Sequence, residues 1–316
     1  MVQPRNLNPE LHPFEKAREY TRALTATKME RMFAKPFVGQ LGRGHVDGVY
    51  CLAKDLRALD RVASGSGDGE VKLWNLADRS EQLSVRAHDG IVRGLCFTSV
   101  GGDRRLLSCA SDRTVKLWDP AAHATGSTGT AGSSTAGSST PAATWLGTDA
   151  FNAISHHRTD HAFATAGAAV EVWDWQRQKP VTTLQWGADS VTTVRFNMSE
   201  TSVLASAGGD RTLILYDLRS GSALARLVTA LRTNQICWNP MEAFNFAAAS
   251  EDHNVYIFDM RKLSRALNVL KDHVAAVMDV DYSPTGEELV TGSYDKTVRL
   301  FRAREGHSRY APPVCL

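Results

Sequence analysis

The sequence predicts an all-β protein assembled from repeated short-stranded units behind a short helical head. Three observations predict it. "ASGSGDGEVKLWN" (Ala63 to Asn75) recurs as "LSCASDRTVKLWD" (Leu107 to Asp119), with further copies at Ala205 to Asp217, Ala247 to Asp259 and Val290 to Arg302. In each copy an Asp precedes an aromatic by six residues: Asp68/Trp74, Asp112/Trp118, Asp210/Tyr216, Asp252/Phe258 and Asp295/Phe301. A sixth copy, Ala164 to Trp175, keeps Trp173 without the Asp, so the aromatics fall at 74, 118, 173, 216, 258 and 301, in steps of 44, 55, 43, 42 and 43. A fixed period of this length marks stacked supersecondary units that cannot bury their apolar faces alone.

The head, residues 1–37, differs from everything after it. Seven Lys/Arg against four Glu make it +3, while the whole chain carries only +2. Pro13 suits a first helical turn, "FEKAREYTRAL" holds good helix formers, and Pro36 stops any helix. Phe14, Ala17, Thr21 and Leu24 share one stripe, and Phe14, Tyr20 and Leu24 are the candidate docking side chains. The repeats occupy residues 38–303. Their single long step contains "ATGSTGTAGSSTAGSSTPAAT", small and polar without apolar periodicity, which predicts a flexible insertion over 121–144. Residues 304–316, with Gly and two Pro, predict an unordered tail.

At 316 residues, 43% hydrophobic and 22% charged, the composition is that of a soluble intracellular globular protein, and no run approaches the ~20 apolar residues of a membrane span. The head is neither a signal nor a transit peptide. Five cysteines, an odd number without a C-x-x-C pair, argue against a disulfide framework, and the four among apolar strand residues read as small buried hydrophobes.

The repeat resembles the WD-repeat family, whose unit of ~40–45 residues forms one four-stranded blade of a β-propeller. In well-formed repeats of that family a His, a Ser/Thr, the Asp and the Trp make a buried hydrogen-bonded chain. The matching positions are His45–Ser64–Asp68–Trp74 and His88–Ser108–Asp112–Trp118. His273–Thr291–Asp295 ends on Phe301, which has no N–H to donate. These sets recur at repeat spacing instead of converging once, so they read as structure and not as catalytic triads. No phosphate loop, G-x-S-x-G or H-E-x-x-H motif is present. "GSGDG" (Gly65 to Gly69) precedes a strand and offers no helix N-terminus to a phosphate. His156, His157 and His161 lack supporting Cys or carboxylates and read as an exposed turn. No catalytic, cofactor or metal residue is predicted, and no small-molecule substrate.

"NPELHPFEKAREYTRALTATKMERMFAKPF", "RTNQICWNPMEAFNFAAASEDHNVYIFDMR" and "HVAAVMDVDYSPTGEELVTGSYDKTVRLF" narrow the likeness. From the head to about Arg304 the chain is similar to the Sof-domain WD-repeat family of the small-subunit processome. That resemblance implies a nucleolar scaffold, working with processome proteins, the box C/D small nucleolar ribonucleoprotein and pre-rRNA. Some members are also described as receptors of a cullin-RING ubiquitin ligase that dock its adaptor through W/Y-D-x-R motifs. Here "YDLR" (Tyr216, Asp217, Arg219) matches, and "FDMR" (Phe258, Asp259, Arg261) matches except at its first place. The family continues through a seventh repeat and a Lys/Arg-rich tail, whereas "REGHSRYAPPVCL" follows Ala303. The chain therefore reads as shortened at its C-terminal side. The expectation is a strained or gapped ring, with "PFVGQL" (Pro36 to Leu41) supplying the outer strand of the last blade.

Overall fold

The computed structural model describes residues 39–310 apart from 56, 99–104, 121–139 and 186–189, together with 16, 17, 20, 23, 24 and 27. It divides into a head unit, Met1–Gly39, and a repeat unit, Gln40–Leu316. In the head, the described residues Lys16, Ala17, Tyr20, Ala23, Leu24 and Thr27 are helical, and the Thr27 hydroxyl donates to the Ala23 carbonyl at 2.9 Å. Tyr20 and Leu24 are exposed. Phe14 lies outside the described residues.

The repeat unit is an all-β propeller whose described residues form six antiparallel four-stranded blades. Blade 1 holds β1 (Val49–Lys54), β2 (Arg61–Ser66), β3 (Glu70–Asn75) and β4 (Ser80–Arg86). Blade 2 holds β5 (Val92–Phe97), β6 (Leu106–Ala110), β7 (Thr114–Trp118) and β8 (Ala143–Leu146). Blade 3 follows with β9 (Ala153–His156), β10 (Ala162–Ala166), β11 (Val170–Asp174) and β12 (Thr182–Leu184). Blade 4 comprises β13 (Val191–Phe196), β14 (Val203–Gly208), β15 (Thr212–Asp217) and β16 (Ser222–Val228). Blade 5 comprises β17 (Thr233–Trp238), β18 (Asn245–Ser250), β19 (Val255–Asp259) and β20 (Asn268–Leu270). Blade 6 is built from β21 (Val277–Tyr282), β22 (Glu288–Ser293), β23 (Val298–Arg302) and β24 (Ser308–Tyr310).

Three expectations need correction. Residues from 304 onward do not remain unordered as far as they are described: β24 pairs with β23, and the Lys271 amide bonds the Gly306 carbonyl at 2.8 Å. Blade 6 thus takes its fourth strand from its own repeat, and the described part of "PFVGQL", Gly39 to Leu41, is not a strand. The insertion also ends earlier than predicted. Ala143 and Thr144 belong to β8, paired with Leu117 and Lys116. Residues 121–139, the bulk of that insertion, lie outside the described residues.

The core is a series of interfaces between successive blades. Val71 and Leu73 of blade 1 pack on Val92, Leu95 and Trp118 of blade 2. Leu107 and Trp145 of blade 2 meet Ile154, Phe163 and Trp173 of blade 3. Val170 and Leu184 of blade 3 meet Val194, Leu204 and Tyr216 of blade 4. Leu213 and Leu215 of blade 4 pack on Ile236, Trp238 and Phe258 of blade 5. Ile257 and Leu270 of blade 5 then pack on Val280, Leu289 and Phe301 of blade 6.

Among the described residues no such cluster joins blade 6 to blade 1. Leu52 is 67% exposed, while its register equivalents Leu95, Ile154, Val194, Ile236 and Val280 are at most 4% exposed. Val290 is 39% exposed, while Leu107, Ala164, Ala205 and Ala247 at the same register are fully buried. Among the described residues, what ties the two blades is polar. The Lys54 ammonium bonds the Asp281 carboxylate, and lies 3.3 Å from the Tyr282 carbonyl. Asp281 also accepts from the Cys237 thiol of blade 5 at 3.2 Å.

The uneven burial sets unequal mutational costs. Truncating a buried Leu to Ala costs ~2–5 kcal/mol, while exposed positions fall within about 0.5 kcal/mol. Leu107→Ala should therefore lower the midpoint of chemical denaturation strongly and Val290→Ala hardly at all. Equal losses for the two variants would show that the face of blade 6 is covered.

Candidate partner-binding surface

The turns between the second and third strands of five blades are built alike. The repeat Asp accepts the amide two residues on, at 2.9 to 3.2 Å: Glu70, Thr114, Thr212, Asn254 and Thr297 bond Asp68, Asp112, Asp210, Asp252 and Asp295. Between each pair sits a left-handed residue, Gly69, Arg113, Arg211, His253 or Lys296, with φ between 60° and 84°. Asp favours such turns because its side chain satisfies the amide that the turn exposes. Gly69 cannot be replaced cheaply, since a Cβ there would lie 1.9 Å from the His88 carbonyl oxygen.

In blade 2 the polar chain is complete. Trp118 Nε1 donates to Ser108 Oγ at 2.9 Å, Ser108 Oγ meets His88 Nε2 at 2.7 Å, and His88 Nδ1 lies 2.9 Å from Asp112 Oδ2. A carboxylate only accepts, so Nδ1 carries the proton and the Ser108 hydroxyl donates to Nε2. The Thr114 hydroxyl pins the other oxygen of Asp112 at 2.7 Å. Blade 6 repeats this with His273 Nε2 to Thr291 Oγ1 at 2.7 Å and His273 Nδ1 to Asp295 Oδ2 at 2.8 Å, and ends on the buried Phe301. Blade 3 retains only Trp173 Nε1 to Thr165 Oγ1 at 2.9 Å.

Blade 1 departs from the prediction. Trp74 Nε1 reaches Ser64 Oγ at 2.7 Å and Ser64 Oγ reaches His45 Nε2 at 2.6 Å, but His45 Nδ1 faces Glu70 Oε2 at 3.3 Å instead of bonding Asp68. Where blades 2, 4 and 6 have Thr114, Thr212 and Thr297, blade 1 has Glu70. The longer acidic side chain takes the position beside the imidazole.

Burial lowers the pKa of His88 below its ordinary value of 6.5, and Asp112 opposes without reversing this; His273 behaves likewise beside Asp295. Burial alone would raise the Asp112 carboxyl, yet bonds from Thr114 and the neighbouring His88 hold it below 3.8. Thr297 and His273 do the same for Asp295. Both kinds of group erode stability in acid. A His whose folded pKa is lowered contributes fully above 6.5 and loses that contribution as pH falls toward the folded value. The carboxylates lose theirs only below 3.8. The melting temperature should fall as pH drops from about 7.5 to about 5; a rise over that window would show that the folded imidazoles take up protons. Trp118→Phe, which keeps the ring and removes the donor, should cost about 1 kcal/mol in urea unfolding, against ~3–5 kcal/mol for Trp118→Ala. Equal costs would show that the indole N–H contributes nothing.

The candidate docking motifs lie at the far ends of β15 and β19, away from the Asp turns. Their aromatics are not at the surface: Tyr216 and Phe258 are buried in the blade 3–blade 4 and blade 4–blade 5 interfaces. The exposed parts are the arginines. Arg261 grips Asp259 at 2.7 and 3.0 Å, and its guanidinium lies 4.3 Å from the ring centroid of Phe244, in the β17–β18 connection. The Arg261 hydrogen bond, outweighing partial burial, holds the Asp259 carboxyl below its ordinary value. Arg219 donates its amide to Asp217 at 2.9 Å, and its side chain is exposed. Motif spacing did not point to Phe244 or the neighbouring exposed Met241. The signal was an apolar pair inside "NPMEAFN", between two strands.

His156 and His157 are buried, not on an exposed turn. His157 Nε2 lies 3.0 Å from the Thr201 carbonyl oxygen, and His156 and His161 pack on Trp175 at 5.5 and 4.6 Å. Burial pushes the Cys51, Cys96 and Cys237 thiols up to about 12, so they stay protonated. Among the described residues no helix is long and apolar enough to cross a membrane.

The family model "WD domain, G-beta repeat" matches residues 37–75, 79–119, 178–217 and 264–302. The chain belongs to the WD-repeat family. It is 54% identical to Protein SOF1 of Saccharomyces cerevisiae over 97% of its length and 65% of that protein's. It is 56% identical to Protein sof1 of Schizosaccharomyces pombe, over 90% of this chain and 61% of that one. It is 49% identical to DDB1- and CUL4-associated factor 13 of Xenopus laevis, over 97% and 66%. The chain thus spans roughly two thirds of the length of these relatives, between 61% and 66%.

Proposed function

We propose that the chain is a non-catalytic scaffold of ribosome biogenesis, acting in small-subunit rRNA processing within the processome of the nucleolus. The observation that carries this reading is the 54% identity to Protein SOF1 across nearly the whole chain. Its partners are processome proteins and the box C/D small nucleolar ribonucleoprotein with pre-rRNA. The mechanism is display: rigid blades hold loops and exposed side chains in fixed positions for several partners. The head residues Phe14, Tyr20 and Leu24 supply a second contact surface, on which Tyr20 and Leu24 are exposed. A tagged chain captured from nuclear extract should carry box C/D small nucleolar RNA well above a mock capture. Recovery at the mock level overturns this reading.

A second reading, a substrate receptor of a cullin-RING ligase, rests on the exposed Arg219 and Arg261 beside Asp217 and Asp259. The name of the factor-13 relatives records association of those proteins with DDB1 and CUL4. The double substitution Arg219→Ala and Arg261→Ala should abolish capture of a cullin adaptor while leaving small nucleolar RNA capture intact. If adaptor capture persists, these arginines are not the docking residues.

A further inference from the structure

Blade 1 differs from its sister blades in a way that creates a binding site. We infer that His45, Asp68 and Glu70 bind a divalent transition-metal ion, zinc fitting the donor set best. Their three ligand atoms lie within 4.8 Å of one another. The His45 side chain is 3% exposed, and its Nδ1 is buried without a hydrogen-bond partner, although Glu70 Oε2 stands 3.3 Å away. In blades 2 and 6 the same nitrogen is satisfied by the repeat Asp at 2.9 and 2.8 Å.

The surroundings orient the donors. His45 Nε2 lies 2.6 Å from Ser64 Oγ, which also accepts from Trp74 Nε1. With Nε2–H donating to Ser64, the lone pair sits on Nδ1 and faces the two carboxylates. Such outer bonds fix the tautomer and direction of metal-ligating imidazoles. Glu70 is held in a similar way: the Ser84 hydroxyl donates to Oε1 at 2.5 Å and the Lys72 ammonium lies 3.6 Å from it. That leaves Oε2 for the ion. Zinc bonds of ~2.0–2.2 Å to N and O place two ligands of one ion ~3–3.5 Å apart. His45 Nδ1 and Glu70 Oε2 already stand at that separation, and the exposed Asp68 has only to close on them. One imidazole and two carboxylates suit zinc better than a hard cation such as magnesium, and water completes the coordination. The ion would staple the segment before β1 to the β2–β3 turn.

The test is titration of the chain with zinc chloride after chelator treatment and dialysis, followed by calorimetry and thermal unfolding. One ion per chain is expected, with a melting temperature that rises with zinc. Glu70→Thr installs the residue found in blades 2, 4 and 6. It should weaken zinc binding about tenfold or more, with the zinc-free melting temperature unchanged or raised. Glu70→Gln, nearly isosteric, should weaken binding to the same degree if the threonine variant folds poorly. Absence of stoichiometric binding, or unchanged affinity in the folded Glu70 variants, overturns the site.

Discussion

Burial of apolar sheet faces between successive blades is the interaction on which the rest of this structure depends. No single four-stranded sheet here has a core of its own. Each places small or branched side chains of its two middle strands between itself and a neighbour, as Leu213 and Leu215 lie against Ile236 and Trp238. Burying a side chain of that size contributes ~1.5–3 kcal/mol, so the interfaces outweigh any single polar contact. Six blades share five such interfaces among the described residues. The sixth junction is made by Lys54 and Asp281, an exposed pair of the kind that contributes ~0–1 kcal/mol. Among the described residues the ring is consequently strong along its sequence and weak between blade 6 and blade 1.

The polar chains act on a different part of the problem. In blades 2 and 6 they run from the strand to the segment entering the blade, and fix the entering loop against the Asp turn. In blade 2 they work as a unit, because the Ser108 hydroxyl and the His88 imidazole in the middle each give and take one hydrogen bond. Neutral imidazole is the form that fits, and burial favours it. Blade 1 shows how little is needed to change the outcome. One Glu in place of Thr leaves the same imidazole facing two carboxylates instead of one.

For partner recognition the consequence is a division of labour within each motif. The aromatic of YDLR or FDMR faces the core, and the Arg two places beyond the Asp faces solvent. Arg219 and Arg261 carry the same pattern in sequence, yet Arg261 is already held by Asp259 and the Phe244 ring, while the Arg219 side chain is exposed. Two copies of one motif thus present different surfaces.

The sequence by itself determined the repeated units, their spacing and the residues of the buried Trp–Ser–His–Asp chain of blade 2. Each of these is a local pattern repeated at a fixed period, and repetition separates it from chance. Tertiary structure alone decided the burial of Tyr216 and Phe258, the partner of His45 and the strand made by Ser308–Tyr310. Leu52 and Leu95 show why. Both are apolar residues at the same register, yet one is exposed and the other buried. Burial belongs to a pair of surfaces, and a sequence pattern describes only one of them.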